Sequence, residues 1–234
     1  MSTTLSIARR EFRSYFNSPI AYVVICLGLA SLGFVFFFYN GGFWQENRAS
    51  LNRLFIYGAP GLSFLVVPVL TMRLVAEERA SGTLEMLITL PVKDRDVILG
   101  KFLGAWGLVM VLILATTIYP LAMFGFWKLG SIDTGPIFAS YLGLTLYSAA
   151  AVSIGLFISS LAHSQIIAFF ITFMTLSALH VVGFALTLPL PVWAEYAVTF
   201  INTDARLGDF ARGLINTRDV IYFVSITIMC LLGS

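Results

Sequence analysis

The sequence has very few charged residues. Asp, Glu, Lys and Arg together make up 11% of its 234 residues, whereas hydrophobic residues make up 59%. A soluble domain carries roughly 25% charged residues because its surface faces water. A chain this poor in charge cannot cover such a surface, and we therefore expect it to be embedded in lipid.

Other absences exclude several classes of function. A net charge of +2 without a Lys/Arg cluster does not fit a nucleic-acid partner. The two cysteines lie in apolar runs, so neither a disulfide framework nor a metal site is expected. Gly100-Lys101 lacks the upstream glycine of a phosphate-binding loop, and no zinc-protease or serine-hydrolase motif occurs. We predict no catalytic residue, no metal site and no cofactor bound by this chain.

Long apolar runs dominate what remains. About 20 apolar residues in a helix cross a bilayer core of about 30 Å. The runs predict an all-α integral membrane protein that forms a single domain over 1–234. The six predicted spans are 20–39, 58–74, 100–126, 136–162, 166–188 and 219–234.

Prolines and small residues add local detail to these spans. Pro19 suits the first position of a helix, whereas Pro68 is expected to kink the second span. The pair Gly100 and Gly104 permits close contact with another helix. The last apolar run, 220–232, reaches only about 20 Å at 1.5 Å per residue. We therefore expect the sequence to be truncated, with a basic cytoplasmic end beyond it; the alternative is that the last helix ends early against protein.

The N-terminal segment, 1–17, is predicted to be an amphipathic helix. Leu5, Ala8 and Phe12 share one helical face, and three arginines lie elsewhere. This pattern favours a helix in the plane of the lipid headgroups. The alternative is a basic flank of the first span. A small excess of Lys and Arg in this segment and in the loop 75–99 favours a cytoplasmic N-terminus.

Two further segments are neither spans nor plain loops. Residues 75–99 carry too many charges to lie in lipid, yet they contain an apolar patch around Leu84 and Leu87 that favours docking onto a partner. Residues 189–218 show two short amphipathic repeats on the opposite side of the membrane, typical of re-entrant or interfacial helices.

The polar content of the spans is low. His180 lies within the fifth span, where a polar side chain is costly. It is a candidate pathway residue, although a hydrogen bond to a neighbouring helix would also explain it. No acidic residue lies in the middle of a span, which argues against a proton- or sodium-coupled carrier.

The segment 77–91, EERASGTLEMLITLP, resembles the signature of the ABC-2 type permease family, in which such a run joins spans two and three. The order of the other segments is similar to that family as well. The stretches 97–102 and 217–223 look most like the branch that contains gliding-motility (Gld) and NosY-like permeases.

This resemblance implies a permease that dimerises with itself or a homologue and pairs with two copies of a separate ATPase subunit, which holds ATP and Mg. It places the protein in the cytoplasmic (inner) membrane, with extracytoplasmic accessory subunits as further candidate partners. The residues implied to couple to the ATPase are Glu77, Glu78, Arg79, Gly82, Thr83, Leu84, Glu85, Leu87 and Ile88. Those implied to form an outer gate are Trp193, Tyr196, Phe200, Phe210 and Leu214.

The resulting functional hypothesis is ATP-driven export or flipping of a cargo. The apolar and aromatic spans favour an amphipathic cargo over a small ion. One alternative is mechanical or signalling work on a partner protein without net transport. A channel or an intramembrane enzyme is the alternative from another class, and only His180 offers a polar group for catalysis.

Overall fold

The computed structural model describes residues 3–38, 52–80, 82, 93–125, 134–183 and 191–234. These residues form helices and no strands. In chain order the helices are α1 (Thr3–Asn17), α2 (Pro19–Phe38), α3 (Asn52–Gly61), a π-helical turn (Leu62–Val66), α4 (Val67–Thr71), α5 (Ala76–Ala80), α6 (Asp94–Ala115), α7 (Ile118–Gly125), α8 (Thr134–Leu161), α9 (Gln165–Val181), α10 (Val192–Ile201), α11 (Thr203–Ala211) and α12 (Thr217–Gly233).

Helix α8 lies at the centre of the bundle. It contacts α3, α4, α6, α9, α11 and α12. Its buried face carries small residues, which allow close approach of the neighbouring helices. A Cβ atom at Gly155, for example, would lie 2.7 Å from Cβ of Thr71 in α4.

The two ends of the bundle are defined by contacts between helix termini. At one end, Lys101 in α6 contacts Leu74 just after α4, and we call this the Lys101 end. At the other, Asp204 at the start of α11 contacts His180 near the end of α9, and we call this the Asp204 end. Ser140, near the start of α8, also lies at the Asp204 end, where its hydroxyl donates to the carbonyl of Phe210.

Prolines shape the helices of three predicted spans. Pro19 is the first residue of α2, as the sequence predicts. The π-helical turn ends two residues before Pro68, which lacks the N–H that a regular helix would use. In the third span the helix breaks at Thr116 and Thr117, and Pro120 follows within α7.

Within the part of the chain that the structure describes, four helical stretches are long and apolar enough to cross a membrane: Ala21–Phe38, Leu54–Arg79, Asp94–Leu121 and Thr134–Leu161. Helix α9 is apolar but has 17 residues. Helix α12 also has 17 residues and carries Arg218 and Asp219 in its first turn. Each of these two reaches about 26 Å, somewhat less than a bilayer core of about 30 Å.

Helix α1 packs closely along the beginning of α6. A Cβ at Gly100 would lie 2.6 Å from Cγ2 of Ile7, and one at Gly104 would lie 2.7 Å from Cβ of Glu11. Ala8 is buried at this contact. Gly100 and Gly104, the pair that the sequence indicates for a close helix contact, therefore pack against the amphipathic helix α1.

Candidate coupling and pathway sites

A buried lysine joins three segments at the Lys101 end. Lys101 is only 3% exposed. Its Nζ donates to the carbonyl of Leu74 at 2.8 Å and to Oε1 of Glu78 at 2.6 Å, and it lies 3.7 Å from Oε1 of Glu11. The ammonium group thereby connects α6 to α1, to the end of the second predicted span and to α5. We call this arrangement the Lys101 node.

Helix α5, where the predicted coupling segment begins, is fixed to the bundle at its start. The hydroxyl of Ser159, near the end of α8, accepts hydrogen bonds of 3.2 Å from the backbone N–H groups of Val75 and Ala76. These bonds satisfy donors that a helix start would otherwise leave unpaired. The beginning of the segment is thus held by both α6 and α8.

The other charged residues of α5 differ in their contacts and exposure. Glu77 accepts two hydrogen bonds from Arg73, at 2.6 and 2.9 Å. Arg79 is exposed. Gly82 has a φ of 72°, a left-handed conformation that glycine adopts without strain. Thr83, Leu84, Glu85, Leu87 and Ile88 lie outside the described residues.

A cleft of about 430 Å³ lies between α1 and α5. Glu11, Tyr15, Arg73, Glu77 and Lys101 are among the residues that line it. The Tyr15 hydroxyl donates to the Leu70 carbonyl at 3.2 Å. Burial, and the nearby carboxylate of Glu11, raise the pKa of Tyr15 above its ordinary range, so this hydroxyl stays protonated.

At the Asp204 end, His180 lies in a buried polar cluster. Its Nε2 is 2.9 Å from the hydroxyls of both Ser63 and Tyr147, and these two hydroxyls also contact each other. Its Nδ1 is 2.5 Å from Oδ1 of Asp204. Ser63 belongs to the π-helical turn, a feature that often occurs at functional sites. We call these four residues the His180 cluster.

The contacts of this cluster connect a serine, a histidine and an aspartate in the order of a serine-hydrolase triad, but the serine is inaccessible. Ser63 is 0% exposed, and its hydroxyl donates to the carbonyl of Ala59. A triad needs a serine whose oxygen can reach a substrate carbonyl. The cluster therefore connects helices and does not present a nucleophile.

The residues predicted to form an outer gate do not share one surface. Trp193, Tyr196 and Phe200 are exposed on α10, and Leu214 is exposed after α11. Phe210, in contrast, is 1% exposed and packs on α8, where its Cγ lies 2.7 Å from the position of a Cβ at Gly143.

A second buried ion pair supports α10 and α11. Arg206 donates to Oδ1 of Asp219 at 2.7 Å and to the carbonyl of Phe200 at 2.8 Å. Its guanidinium also lies 4.1 Å from the ring centre of Tyr222. A cleft of about 1000 Å³ beside this pair is lined by Asp204 as well, so the His180 cluster borders an open space on one side.

Sequence reasoning did not single out several residues that these sites use. Lys101 follows an apolar run and looks like an ordinary boundary charge, whereas Ser63 and Tyr147 are unremarkable polar residues of apolar spans. Asp204 lies between two amphipathic repeats. Its position in the first turn of a short helix was the available signal, since acidic residues are favoured there. Among the residues that the structure describes, no group of three His, Cys, Asp or Glu could hold a metal ion.

The apolar helices define a multi-pass α-helical membrane protein. A family model described as "ABC-2 family transporter protein" matches residues 39–233, and the chain belongs to this family. It is 28% identical over 148 residues to the "Probable multidrug ABC transporter permease YbhR" of Escherichia coli K12, and equally to that of strain O157:H7. The matched region is 62% of this chain, and the chain spans 39% of the length of these relatives.

Proposed function

We propose that the chain is the permease subunit of an ATP-binding cassette transporter, in which a separate ATPase subunit supplies the energy. The family match over residues 39–233 carries this proposal. The permease would dimerise, pair with two ATPase copies, and export or flip an amphipathic cargo. Accessory subunits outside the cytoplasm are further candidate partners.

The Lys101 node offers a physical route for coupling. Movement of the ATPase would act on residues 77–91, which contain the predicted coupling helix. Lys101 and Ser159 fix the start of this segment to α6 and α8, so a displacement of α5 would move both helices. Closely packed helices transmit such displacements because they are rigid and have few alternative packings.

The node also changes the role that we propose for the acidic residues of this segment. Glu77 and Glu78 both have partners within the chain, namely Arg73 and Lys101. We propose that they position the segment and that Arg79, which is exposed, contacts the ATPase. Leu84 and Leu87 would supply the apolar anchor.

We further propose six spans in the inner membrane with a cytoplasmic N-terminus. In this proposal the spans are α2, α3–α4, α6–α7, α8, α9 and α12, in chain order. The two passes of 17 residues, α9 and α12, would cross a bilayer that is locally thinner or adapts to them. The arginines of α1 would then face the cytoplasm.

An amphipathic cargo is supported by the name of the relatives, which describes probable multidrug permeases. The second proposal is work on a partner protein without net transport. It rests on the resemblance of 97–102 and 217–223 to the gliding-motility and NosY-like branch. Those stretches lie inside the family match, which does not distinguish branches.

Co-purification with the ATPase tests the proposal. The chain and the double variant Leu84→Asp plus Leu87→Asp are each tagged and purified with the ATPase encoded beside it. We expect the native chain to retain the ATPase and the double variant to lose it while still eluting as a folded protein. An Ile215→Asp variant, which changes an exposed residue near the Asp204 end, is the control and should retain it. A native chain that binds no ATPase would contradict the proposal.

A further inference from the structure

Helix α1 uses one of its faces to pack on the bundle. Ala8 is buried at the contact with α6. Phe12 lies against Gly107, where a Cβ would be 3.2 Å from Cδ2 of the ring. The hydroxyl of Thr4 donates to Oδ1 of Asp96 at 2.8 Å. An interfacial helix is usually held because its apolar face is immersed in lipid. Protein contacts hold this face of α1, so the face that α1 leaves outside the bundle needs a separate explanation.

The outward face of α1 is basic. A cleft of about 460 Å³ on this face is lined by exposed polar residues: Ser6, Arg9, Arg10, Arg13, Ser14 and Asn17. Arg10 forms an ion pair of 3.1 Å with Glu11, the next residue. Arg9 and Arg13 lie four residues apart, a spacing at which like charges repel each other. Neither of these two forms an ion pair within the described residues. The described part of the chain therefore leaves their positive charge unneutralised.

This face lies close to the point where the chain enters the bilayer. Helix α1 ends just before Ala21–Phe38, the first stretch that is able to cross a membrane. Arg13 precedes that stretch by about two helical turns, so its guanidinium can reach the headgroup layer that borders the hydrocarbon core. Tyr22 is 56% exposed, and tyrosine is enriched at the headgroup level. Leu5 is 51% exposed, which extends the apolar surface from α2 onto a flank of α1.

The chemistry of the outward face fits the phosphate of an anionic lipid. A guanidinium binds phosphate through paired hydrogen bonds, and the hydroxyl and amide groups of the cleft supply further donors. The negative surface of a membrane also attracts basic residues that lie near it. The coupling segment, in contrast, begins on the other flank of α1. The cleft between α1 and α5 is lined by Arg10 but not by Arg9 or Arg13. These two arginines thus face away from the region where we place the ATPase.

We propose that the outward face of α1 binds the phosphate of an anionic lipid, with Arg9 and Arg13 as its principal ligands. Arg10 contributes less because Glu11 already pairs with it. The bound lipid would hold α1 at the edge of the bilayer. Glu11, on the same helix, lies 3.7 Å from Lys101, so lipid on this face would also support the Lys101 node. This inference rests on the membrane-embedded fold and does not depend on the ATPase or on the cargo.

Native mass spectrometry of the purified full chain tests lipid binding. The chain in detergent is titrated with phosphatidylglycerol or with phosphatidylcholine, which has the same phosphate but no net charge. We expect phosphatidylglycerol to bind more tightly, and its affinity to fall by at least about tenfold in Arg9→Gln plus Arg13→Gln. The matched control is Arg212→Gln plus Arg218→Gln, which removes two exposed arginines at the Asp204 end and should keep the affinity of the parent. Both double variants change exposed side chains and should keep its melting temperature.

Trypsin cleavage shows whether the lipid lies on α1. Cleavage after Arg13 should be slower in nanodiscs of phosphatidylglycerol than in nanodiscs of phosphatidylcholine, whereas cleavage after Arg79 should be equal in both. In phosphatidylcholine nanodiscs, inorganic phosphate at constant ionic strength should not protect Arg13. Equal affinity of the parent for the two lipids, or an unchanged affinity in Arg9→Gln plus Arg13→Gln, would overturn the proposal. Protection of Arg13 by inorganic phosphate, or by the ATPase without anionic lipid, would overturn it as well.

Discussion

Replacing Lys101 by methionine removes the charge of the Lys101 node and keeps most of the volume of the side chain. The variant loses the contact of 2.6 Å with Glu78, the hydrogen bond of 2.8 Å to the Leu74 carbonyl and the ion pair of 3.7 Å with Glu11. At an effective dielectric constant of about 20, the Glu78 and Glu11 pairs correspond to gross attractions of about 6 and about 4 kcal/mol.

The net effect is smaller because the lysine regains hydration in the unfolded state. In addition, the side chains of Glu78 and Glu11 are 20% and 17% exposed, so water partly solvates them when Lys101 is absent. Removing one partner of a buried ion pair destabilises a protein by about 3–5 kcal/mol, and this partial exposure favours the lower value. For a chain of this size, about 3 kcal/mol lowers the melting temperature by about 6–12 °C.

Tryptophan fluorescence during heating of the purified protein measures this effect, since the chain has four tryptophans. Adding Glu78→Gln to Lys101→Met should restore part of the loss, because the second substitution removes a carboxylate that has lost its ammonium partner. Lys93→Met is the matched control: Lys93 is exposed, and its loss should cost no more than about 0.5 kcal/mol.

The same variant separates binding of the ATPase from coupling. Lys101 is buried, so Lys101→Met should still co-purify with the ATPase. Cargo moved per ATP should fall by about tenfold, the effect of losing about 1.4 kcal/mol of coupling free energy. Equal melting temperatures for Lys101→Met and Lys93→Met, together with strictly additive effects of Lys101→Met and Glu78→Gln, would refute the reasoning about the node.

Two further substitutions test contacts between the helices. Gly104→Ala places a Cβ 2.7 Å from Glu11 and should displace α1, which lowers stability by about 1–3 kcal/mol and speeds trypsin cleavage within α1. The control is Gly208→Ala, where a Cβ meets open space, and it should leave the stability and the cleavage rate unchanged. Arg206→Met leaves the Asp219 carboxylate buried and should cost about 3–5 kcal/mol in thermal unfolding, part of which Asp219→Asn restores. Equal effects of the two glycine variants, or an unchanged melting temperature for Arg206→Met, would contradict these contacts.

The sequence predicts local features of the fold well and tertiary partners poorly. The start of α2 at Pro19 and an irregular helix before Pro68 follow from the missing N–H and fixed φ of proline. Gly100 and Gly104 indicate a close helix contact, but the same pattern would suit any partner. That α1 is this partner depends on complementary side chains such as Ile7 and Glu11, which no spacing rule reveals.

The polar clusters were less predictable for a related reason. Hydropathy identifies His180 as a polar residue that is costly to bury in an apolar span. Its partners Ser63, Tyr147 and Asp204, however, lie 117, 33 and 24 residues away in the chain. Such pairings depend on how helices assemble and not on local periodicity. The acidic residues Glu77 and Glu78 show the same limit: a family resemblance implies contacts with the ATPase, whereas the structure pairs them with Arg73 and Lys101.

The central proposal is that this chain, as a permease subunit, moves a cargo across the membrane with energy from a partner ATPase. The most direct measurement is the translocation of a fluorescent amphipathic lipid analogue in liposomes that contain the purified permease–ATPase complex, with ATP and with a non-hydrolysable analogue. The account predicts translocation that requires ATP hydrolysis and is lost with Leu84→Asp plus Leu87→Asp. Translocation that proceeds equally without hydrolysis, or hydrolysis that responds to the permease without any movement of cargo, would contradict it.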